Sequence, residues 1–216
     1  NLKFWGHNCF SVSTDHSVLL TDPWFSNSGA FFGSWFQYPK NHHLEEKVLN
    51  LLGTKNNSYI FISHEHQDHY DPNFLKRIPA NTTIIIPKYA DKNFRDEILD
   101  LGQNLIELSD FEKKSLDDSM QIHLMISDIG INHDSAIFIK TEDFTFLNQN
   151  DCKVFDRLSE LEESVDFYSV QFSGATWHPS CFVFSEKRKK HISKQKVENK
   201  FNNVLLSSIF ISASNI

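Results

Sequence analysis

The chain has 216 residues, a length typical of one domain or of one domain with a small appendage. A hydrophobic content of 40%, with 20 phenylalanines and 4 tryptophans, indicates a packed core, and only 7 glycines argue against a flexible polymer. The net charge of −7 argues against a general affinity for nucleic acid.

Membrane proteins and disulfide-rich proteins are also disfavoured. No apolar run is long enough to cross a bilayer, and no signal peptide opens the sequence. The cysteines Cys9, Cys152 and Cys181 are odd in number and widely spaced, which is typical of reduced thiols in the cytoplasm. We therefore expect a cytoplasmic protein without a transmembrane segment. The sequence leaves the oligomeric state open.

The predicted elements begin with a strand and a hairpin. Strands are predicted over residues 2–5, 9–13 and 17–20, and a turn at residues 14–16 joins the last two. Residues 26–43 are rich in aromatic and polar side chains and show no regular period. We interpret this segment as a loop that overhangs a functional site.

Helices and strands alternate in the rest of the chain. The pattern predicts helices over residues 45–52, 72–77 and 90–101, and strands over 58–62, 83–86, 105–108, 119–125, 135–140 and 144–148. It then predicts an acidic helix over 153–163, a strand over 165–170, a basic helix over 186–198 and a final strand over 204–211. This order predicts an α/β fold with two sheets between helical layers.

Histidines cluster directly after the buried strand over residues 58–62. His64, His66, Asp68 and His69 fall within six positions, which is costly at the end of a buried strand unless something binds them. Imidazole and carboxylate together suit zinc, iron or manganese. If the chain turns into a helix after His66, the four side chains divide into two pairs, which favours a binuclear centre. The alternative is a polar surface loop in which histidines happen to cluster.

The residues after this motif predict the start of a helix. Asp71 suits the N-cap position, and Pro72 suits the first helical position.

His64-x-His66-x-Asp68-His69 after a hydrophobic strand resembles the signature of the metallo-β-lactamase superfamily. Residues 6–10, 18–24 and 146–152 are similar to other parts of that fold. Residues 22–35, 147–152 and 172–181 resemble the lactamase-fold part of the CMP-N-acetylneuraminate hydroxylases and their bacterial relatives. The ascorbate-phosphate lactonase and N-acylphosphatidylethanolamine phospholipase D groups are more distantly similar.

The resemblance implies a four-layer αββα metallo-β-lactamase sandwich, with two mixed sheets between helices. It implies a single domain over residues 1–216, for which truncation at one or both ends is an open alternative. It also implies two divalent metals, zinc first, with iron or manganese as alternatives.

The ligand set that the resemblance implies is divided between two ions. His64, His66 and His133 hold one metal, Asp68 and His69 begin the second site, and Asp151 bridges the two ions. His123 competes with His133, but His133 is favoured because it lies at the entry of a strand, whereas His123 lies within an alternating run. A further histidine that the family supplies to the second metal is not found, and His178 is a candidate substitute.

Other residues are expected to support the site. Asp68 is the candidate catalytic residue, because a free carboxylate oxygen can orient a water molecule or move its proton. Asp22 is expected to support the histidine-bearing loop, and Asn148 and Asn150 to support Asp151. The candidate substrate-binding residues are His7, Trp24, Trp35 and His178.

These expectations favour a metal-dependent hydrolase that acts on a small-molecule ester, lactone or phosphodiester. The first alternative is an iron-dependent oxygenase, or an oxygenase-associated domain, that acts on a nucleotide sugar. The sequence shows no cluster of Cys and His ligands for an iron–sulfur centre, which argues against a complete oxygenase of that kind. The second alternative is a degenerate metal-binding scaffold.

Overall fold

A computed structural model shows the fold of the chain and describes residues 1–129, 132–171 and 185–213. Its strands are β1 (Leu2–Gly6), β2 (Cys9–Ser13), β3 (Ser17–Thr21), β4 (Asn57–Phe61), β5 (Thr82–Pro87), β6 (Asn104–Leu108), β7 (Lys114–Asp117), β8 (Met120–Ile129), β9 (Asn132–Thr141), β10 (Thr145–Asn148) and β11 (Phe167–Ser169). The α-helices are α1 (Glu45–Gly53), α2 (Pro72–Leu75), α3 (Asn93–Asp100) and α4 (Glu186–Ala213). Two 3-10 helices span His42–Leu44 and Phe155–Glu160.

The described strands form two mixed sheets. The first has the order β1-β2-β3-β4-β5-β6, antiparallel at the β1–β2 and β2–β3 pairs and parallel from β3 to β6. The second has the order β11-β10-β9-β8-β7 and is parallel only at the β10–β11 pair. The predicted α/β class and its two mixed sheets are confirmed.

Three apolar layers hold the sheets and helices together. Strands β3, β4 and β5 are apolar on both faces, as expected for parallel strands that are covered on both sides. Their outer face packs under the three short helices through Leu52, Phe74 and Ile98. Their inner face meets the second sheet through side chains such as Leu19, Phe61, Ile85, Leu124 and Ile137. The outer face of the second sheet is covered by residues 152–165, including the 3-10 helix.

The C-terminal part of the described chain differs from the prediction. Residues 204–211 were expected to form a strand, but α4 continues through them to Ala213. An isolated strand would leave its backbone groups unpaired, whereas extending an existing helix adds hydrogen bonds without a new nucleation cost. Within the described ranges, no helix has the length and apolar character needed to cross a bilayer.

Two further segments differ from the prediction. The acidic helix expected over residues 153–163 is a 3-10 helix over Phe155–Glu160, closed by bonds between residues three apart such as Arg157 N to Val154 O. Strand β7 was not predicted, because its short and charged sequence, typical of an edge strand, lacks an apolar alternation.

Asp71 caps α2 and also anchors the loop after β3. Its side chain accepts hydrogen bonds from the backbone N–H groups of Asn73 and Phe74, which confirms the predicted N-cap, and Pro72 begins the helix. The same carboxylate accepts from the backbone N–H groups of Phe25 and Ser26. Asp71 thereby connects the loop after β3 to the start of α2, which follows the histidine motif.

Replacing Asp71 by alanine should lower the free energy of unfolding by about 2–4 kcal/mol, because a buried acceptor of several hydrogen bonds is lost. Denaturant unfolding of the two proteins measures this change. The control is Asp91→Ala, which removes a similar bond to the backbone of Asn93 at an exposed helix start and should cost less than about 1 kcal/mol. Equal losses for the two variants would contradict the anchoring role.

Candidate metal centre

Several of the predicted site residues lie where strands from both sheets end or begin. Strands β3 and β4 are parallel neighbours, so Asp22 and the loop from Ser63 follow them at the same sheet edge. Asp151 follows β10 in the second sheet. Sheet packing therefore gathers residues that lie far apart in the sequence.

Ser63 joins this loop to both sheets. Its backbone N–H donates to Asp22 Oδ1 at 2.7 Å, and its hydroxyl donates to Asp22 Oδ2 at 2.9 Å. Its carbonyl oxygen accepts from the Tyr89 hydroxyl at 2.8 Å and from Ser135 Oγ at 2.9 Å. The start of the histidine loop is thus held by groups from the first sheet and from β9 of the second.

His69 is fully buried, and Asp22 fixes its orientation. Nδ1 of His69 lies 3.0 Å from Asp22 Oδ2, and an ionised carboxylate can only accept, so Nδ1 carries the proton. Nε2 faces the carboxylate oxygens of Asp68 and Asp151, each 3.6 Å away. Burial lowers the pKa of His69, but the charges of Asp22 and Asp151 outweigh burial and raise the pKa well above its usual value.

Nε2 of His69 is buried and makes no hydrogen bond to any described residue. A buried polar atom without a partner is costly, and at a functional site it suggests an unseen ion or water molecule. Two ligands about 2.1 Å from a tetrahedral zinc lie roughly 3.4 Å apart. The separation between Nε2 and each carboxylate oxygen therefore fits ligands that share one metal ion.

Asp68 lies between His69 and His7. Its Oδ2 is 3.1 Å from Nε2 of His7 and 3.6 Å from Nε2 of His69. Burial alone would raise the pKa of Asp68, but the His7 hydrogen bond and the charge of His69 outweigh burial and lower it. Asp68 is therefore ionised near neutral pH, as a metal ligand must be.

Asp151 approaches from the second sheet and remains 30% exposed. Its Oδ1 accepts a hydrogen bond from the Gln171 side-chain amide at 2.7 Å. Burial opposes ionisation, but the interactions with His69 outweigh burial and lower the pKa of Asp151 to about 2.

His64 and His66 form a close pair beside this group. Nε2 of His64 lies 2.8 Å from Nδ1 of His66, and the His64 ring is buried whereas His66 is exposed. Nδ1 of His64 lies 3.2 Å from Asp134 Oδ1 and 2.9 Å from Ser63 Oγ. Asp134 was not predicted, although a carboxylate behind a ligand histidine is a common arrangement, and its position just before a strand was the available signal.

Among the described residues, two groups of three side chains have the mutual spacing of metal ligands, within 4.8 Å. One group contains His7, Asp68 and His69, and the other contains His64, His69 and Asp151. Within the described part of the chain, neither group includes His66 or His133. The division of ligands between two ions that the resemblance implies therefore stays a prediction.

The two histidines that competed for one ligand position lie in different surroundings. His133 pairs with Asp128 across β8 and β9, and its ring lies 5.0 Å from the ring of Tyr89, whose hydroxyl donates to Ser63. His123 lies between the rings of Phe111 and Phe138 and packs with the outer layer of the second sheet. This position separates His123 from the histidine loop, and burial lowers its pKa.

The side-chain amides of the two asparagines near Asp151 donate to other groups. Asn148 donates to Thr21 Oγ1 at 3.4 Å, and the Asn150 amide donates to the Ser135 carbonyl at 3.0 Å. No hydrogen bond between described residues joins either side chain to Asp151. Asn150 instead shapes the turn after β10 with a positive φ of 54°, which asparagine tolerates.

Aromatic side chains form one wall of the centre. Trp24 is buried and Trp35 is 45% exposed, and each meets the His7 ring edge-on at centroid distances of 5.4 and 5.8 Å. Phe31 stacks on Trp35 and lies 6.2 Å from the His66 ring. His178 lies outside the described residues.

Comparisons with known proteins identify the family of the chain. The family profile described as "Beta-lactamase superfamily domain" matches residues 1–135. A protein of Mycolicibacterium smegmatis named as a Rieske 2Fe-2S iron-sulfur protein is 30% identical over 88% of this chain and 38% of its own length. The cytidine monophosphate-N-acetylneuraminic acid hydroxylase of Pongo pygmaeus is 21% identical over 92% of this chain and 36% of its own length.

Solved structures show the same fold. A metallo-beta-lactamase fold protein from Bacillus subtilis superposes with a TM-score of 0.51 at 16% identity, over 74% of this chain and 61% of that one. The chain spans less than two-fifths of the curated relatives named above, whose names describe the larger proteins. The fold and its carboxylate and imidazole donors indicate a centre for divalent metal. The chain belongs to the beta-lactamase superfamily.

Proposed function

We propose that this domain is a metal-dependent hydrolase that cleaves an ester, a lactone or a phosphodiester of a small molecule. The observation that carries the proposal is the buried Nε2 of His69, which makes no hydrogen bond to a described residue and lies 3.6 Å from the carboxylates of Asp68 and Asp151. The side chains of His7 and Asp151 are partly exposed, so a substrate can reach the centre. A catalytic metal site keeps such an open side, whereas a structural site is closed.

The proposed ligands are His64, His66, His133, Asp68, His69 and Asp151, which would hold two divalent ions, with zinc as the first choice. When bound, such ions polarise the substrate oxygen and lower the pKa of a water molecule. Asp22 holds the proton on Nδ1 of His69 and so keeps Nε2 available as a ligand. Asp68 orients the attacking water and carries its proton.

The aromatic wall is proposed to hold the apolar part of the substrate. Phe31 and Trp35 stack with an interplanar angle of 16°, and both rings are partly exposed beside His66. The backbone N–H of Phe31 donates to the side chain of Gln67, which ties this loop to the histidine motif. A substrate that lies on these rings would present its polar group to the metal centre.

A second candidate is the metal-containing part of a larger oxygenase. Both close ligand groups contain two imidazoles and one carboxylate, a set that also suits iron in oxygenases. The relatives named for a Rieske cluster and for hydroxylation favour this candidate. Insertion of one oxygen atom into a C–H bond consumes O2, two electrons and two protons and releases water, so an external reductant is required. We rank hydrolysis first, because the names of these relatives describe whole proteins and this chain covers less than two-fifths of each one.

Metal content and metal-dependent activity test the two candidates together. Zinc-loaded protein should hydrolyse a nitrophenyl ester, a lactone or a bis-nitrophenyl phosphate, and a chelator should remove this activity until zinc is restored. Zinc-treated His66→Ala protein is the control for hydrolysis by loosely bound metal. Hydrolysis that survives complete metal removal would contradict the proposal. Two irons in the purified protein, with reductant-dependent consumption of O2, would favour the second candidate.

A further inference from the structure

The turn between β1 and β2 holds His7 in an unusual backbone conformation. Gly6 has a φ of 124° and His7 a φ of 50°, and the strand register shifts between Phe4 and Gly6. A positive φ at a residue other than glycine costs roughly 1–3 kcal/mol and occurs frequently at functional sites. The turn therefore fixes the direction in which the His7 side chain leaves the sheet.

That direction leads to the metal centre. Nε2 of His7 lies 3.1 Å from Asp68 Oδ2, and the His7 ring lies 5.3 Å from the ring of His69. Trp24 and Trp35 contact the His7 ring at nearly right angles and limit its movement. The side chain is 20% exposed, so His7 also borders the open side of the centre.

The ligand spacing extends to His7. Its nitrogen, an Asp68 oxygen and a His69 nitrogen all lie within 4.8 Å of one another. The independent sign of a ligand is the buried Nε2 of His69, which makes no hydrogen bond to a described residue. An ion bound to Nε2 of His69 and to the Asp68 carboxylate would also lie near the imidazole of His7.

We propose that His7 is a direct ligand of the ion that Asp68 and His69 hold. This inference rests on the proposed metal-dependent function, and it assigns His7 to the metal and not to the substrate. Binding to an ion would require Nε2 of His7 to give up any proton in its 3.1 Å contact with Asp68 Oδ2. His7, Asp68 and His69 would supply two imidazoles and one carboxylate to this ion, beside the proposed bridging carboxylate of Asp151.

The test compares His7→Asn with His16→Asn. Asparagine accepts a positive φ, so the first variant removes the imidazole and keeps the turn. His16 lies in the neighbouring β2–β3 hairpin and is exposed, so its substitution is the matched control. Competition with a chromophoric chelator measures zinc affinity, and X-ray absorption of the zinc-loaded proteins measures the number of imidazoles per zinc.

His7→Asn should weaken binding of one zinc by about 100-fold or more, beyond the usual range for residues that only support ligands. It should also lower the imidazole count, whereas His16→Asn should change neither value. If His7→Asn keeps the wild-type imidazole count, at any affinity, His7 is not a ligand and the inference is overturned. Wild-type protein that binds no metal would overturn the proposed function as well, which separates the two failures.

A second variant covers the case in which His7→Asn does not fold. His7→Gly also accepts the backbone conformation and leaves a space beside Asp68. Added imidazole should restore both zinc affinity and the imidazole count in this variant. No recovery in a folded, metal-binding His7→Gly protein would also overturn the inference.

Discussion

Alanine in place of His69 should remove at least one metal ion from the centre and destabilise the metal-free protein by about 3–5 kcal/mol. His69 is the residue that the two close ligand groups share, so neither group remains complete without it. The substitution also leaves the fully buried carboxylate of Asp22 with only its two hydrogen bonds from Ser63, and breaking a buried charge pair is strongly destabilising. Elemental analysis and denaturant unfolding in the presence of a chelator measure the two effects.

His66→Ala is the matched comparison for this prediction. His66 is a proposed ligand, so its loss should reduce metal binding. Because His66 is exposed, its loss should change the stability of the metal-free protein by less than about 1 kcal/mol. A His69→Ala protein with wild-type metal content would refute the assignment of His69 as a ligand. Equal stability losses in the two variants would refute the role assigned to the Asp22–His69 pair.

Substitution of Asp22 by alanine should lower both the stability of the metal-free protein and its affinity for zinc. Asp22→Ala removes the acceptor for the backbone N–H and hydroxyl of Ser63 and for Nδ1 of His69. We expect a loss of about 3–5 kcal/mol in the metal-free protein, because buried donors lose their partners. We also expect zinc affinity to fall by about 10–100-fold, the usual effect of removing support from a ligand histidine.

The variant Asp22→Asn provides the sharper test. It can keep an oxygen for the Ser63 N–H, but it can place an N–H donor against Nδ1 of His69. The proton of His69 then moves to Nε2, the atom required for metal binding. Asp22→Asn should therefore be more stable than Asp22→Ala and yet lose a similar zinc affinity, and nitrogen NMR of the imidazole reports the tautomer. Wild-type zinc affinity with the proton on Nε2 would rule out this explanation.

The parts of the fold that depend on local apolar pattern could be predicted from the sequence. Strands β4 and β5 are short apolar runs buried on both faces, and the predicted ends lie within one residue of the observed ones. The Asp71-Pro72 helix start was predictable because capping is decided within a few residues. The apolar pattern of residues 204–211 was misleading, because a helix that arrives from Glu186 can continue through it.

Contacts between distant segments could not be predicted in the same way. His7 and Asp68 are 61 positions apart, and their contact depends on the turn conformation at Gly6 and His7. Asp134 reaches His64 only because β9 packs beside the end of β4. The histidine motif identified the kind of site, but sheet packing determined which carboxylates surround it.

The carbonyl of Ser63 accepts one hydrogen bond from Tyr89, after β5, and one from Ser135, in β9. His64 directly follows this carbonyl, so the segment that carries the proposed ligands also connects the two sheets. An ion bound at this segment would oppose separation of the two sheets. We expect the metal-bound domain to unfold as one cooperative unit. Without metal, we expect local opening to begin between the two sheets at Ser63.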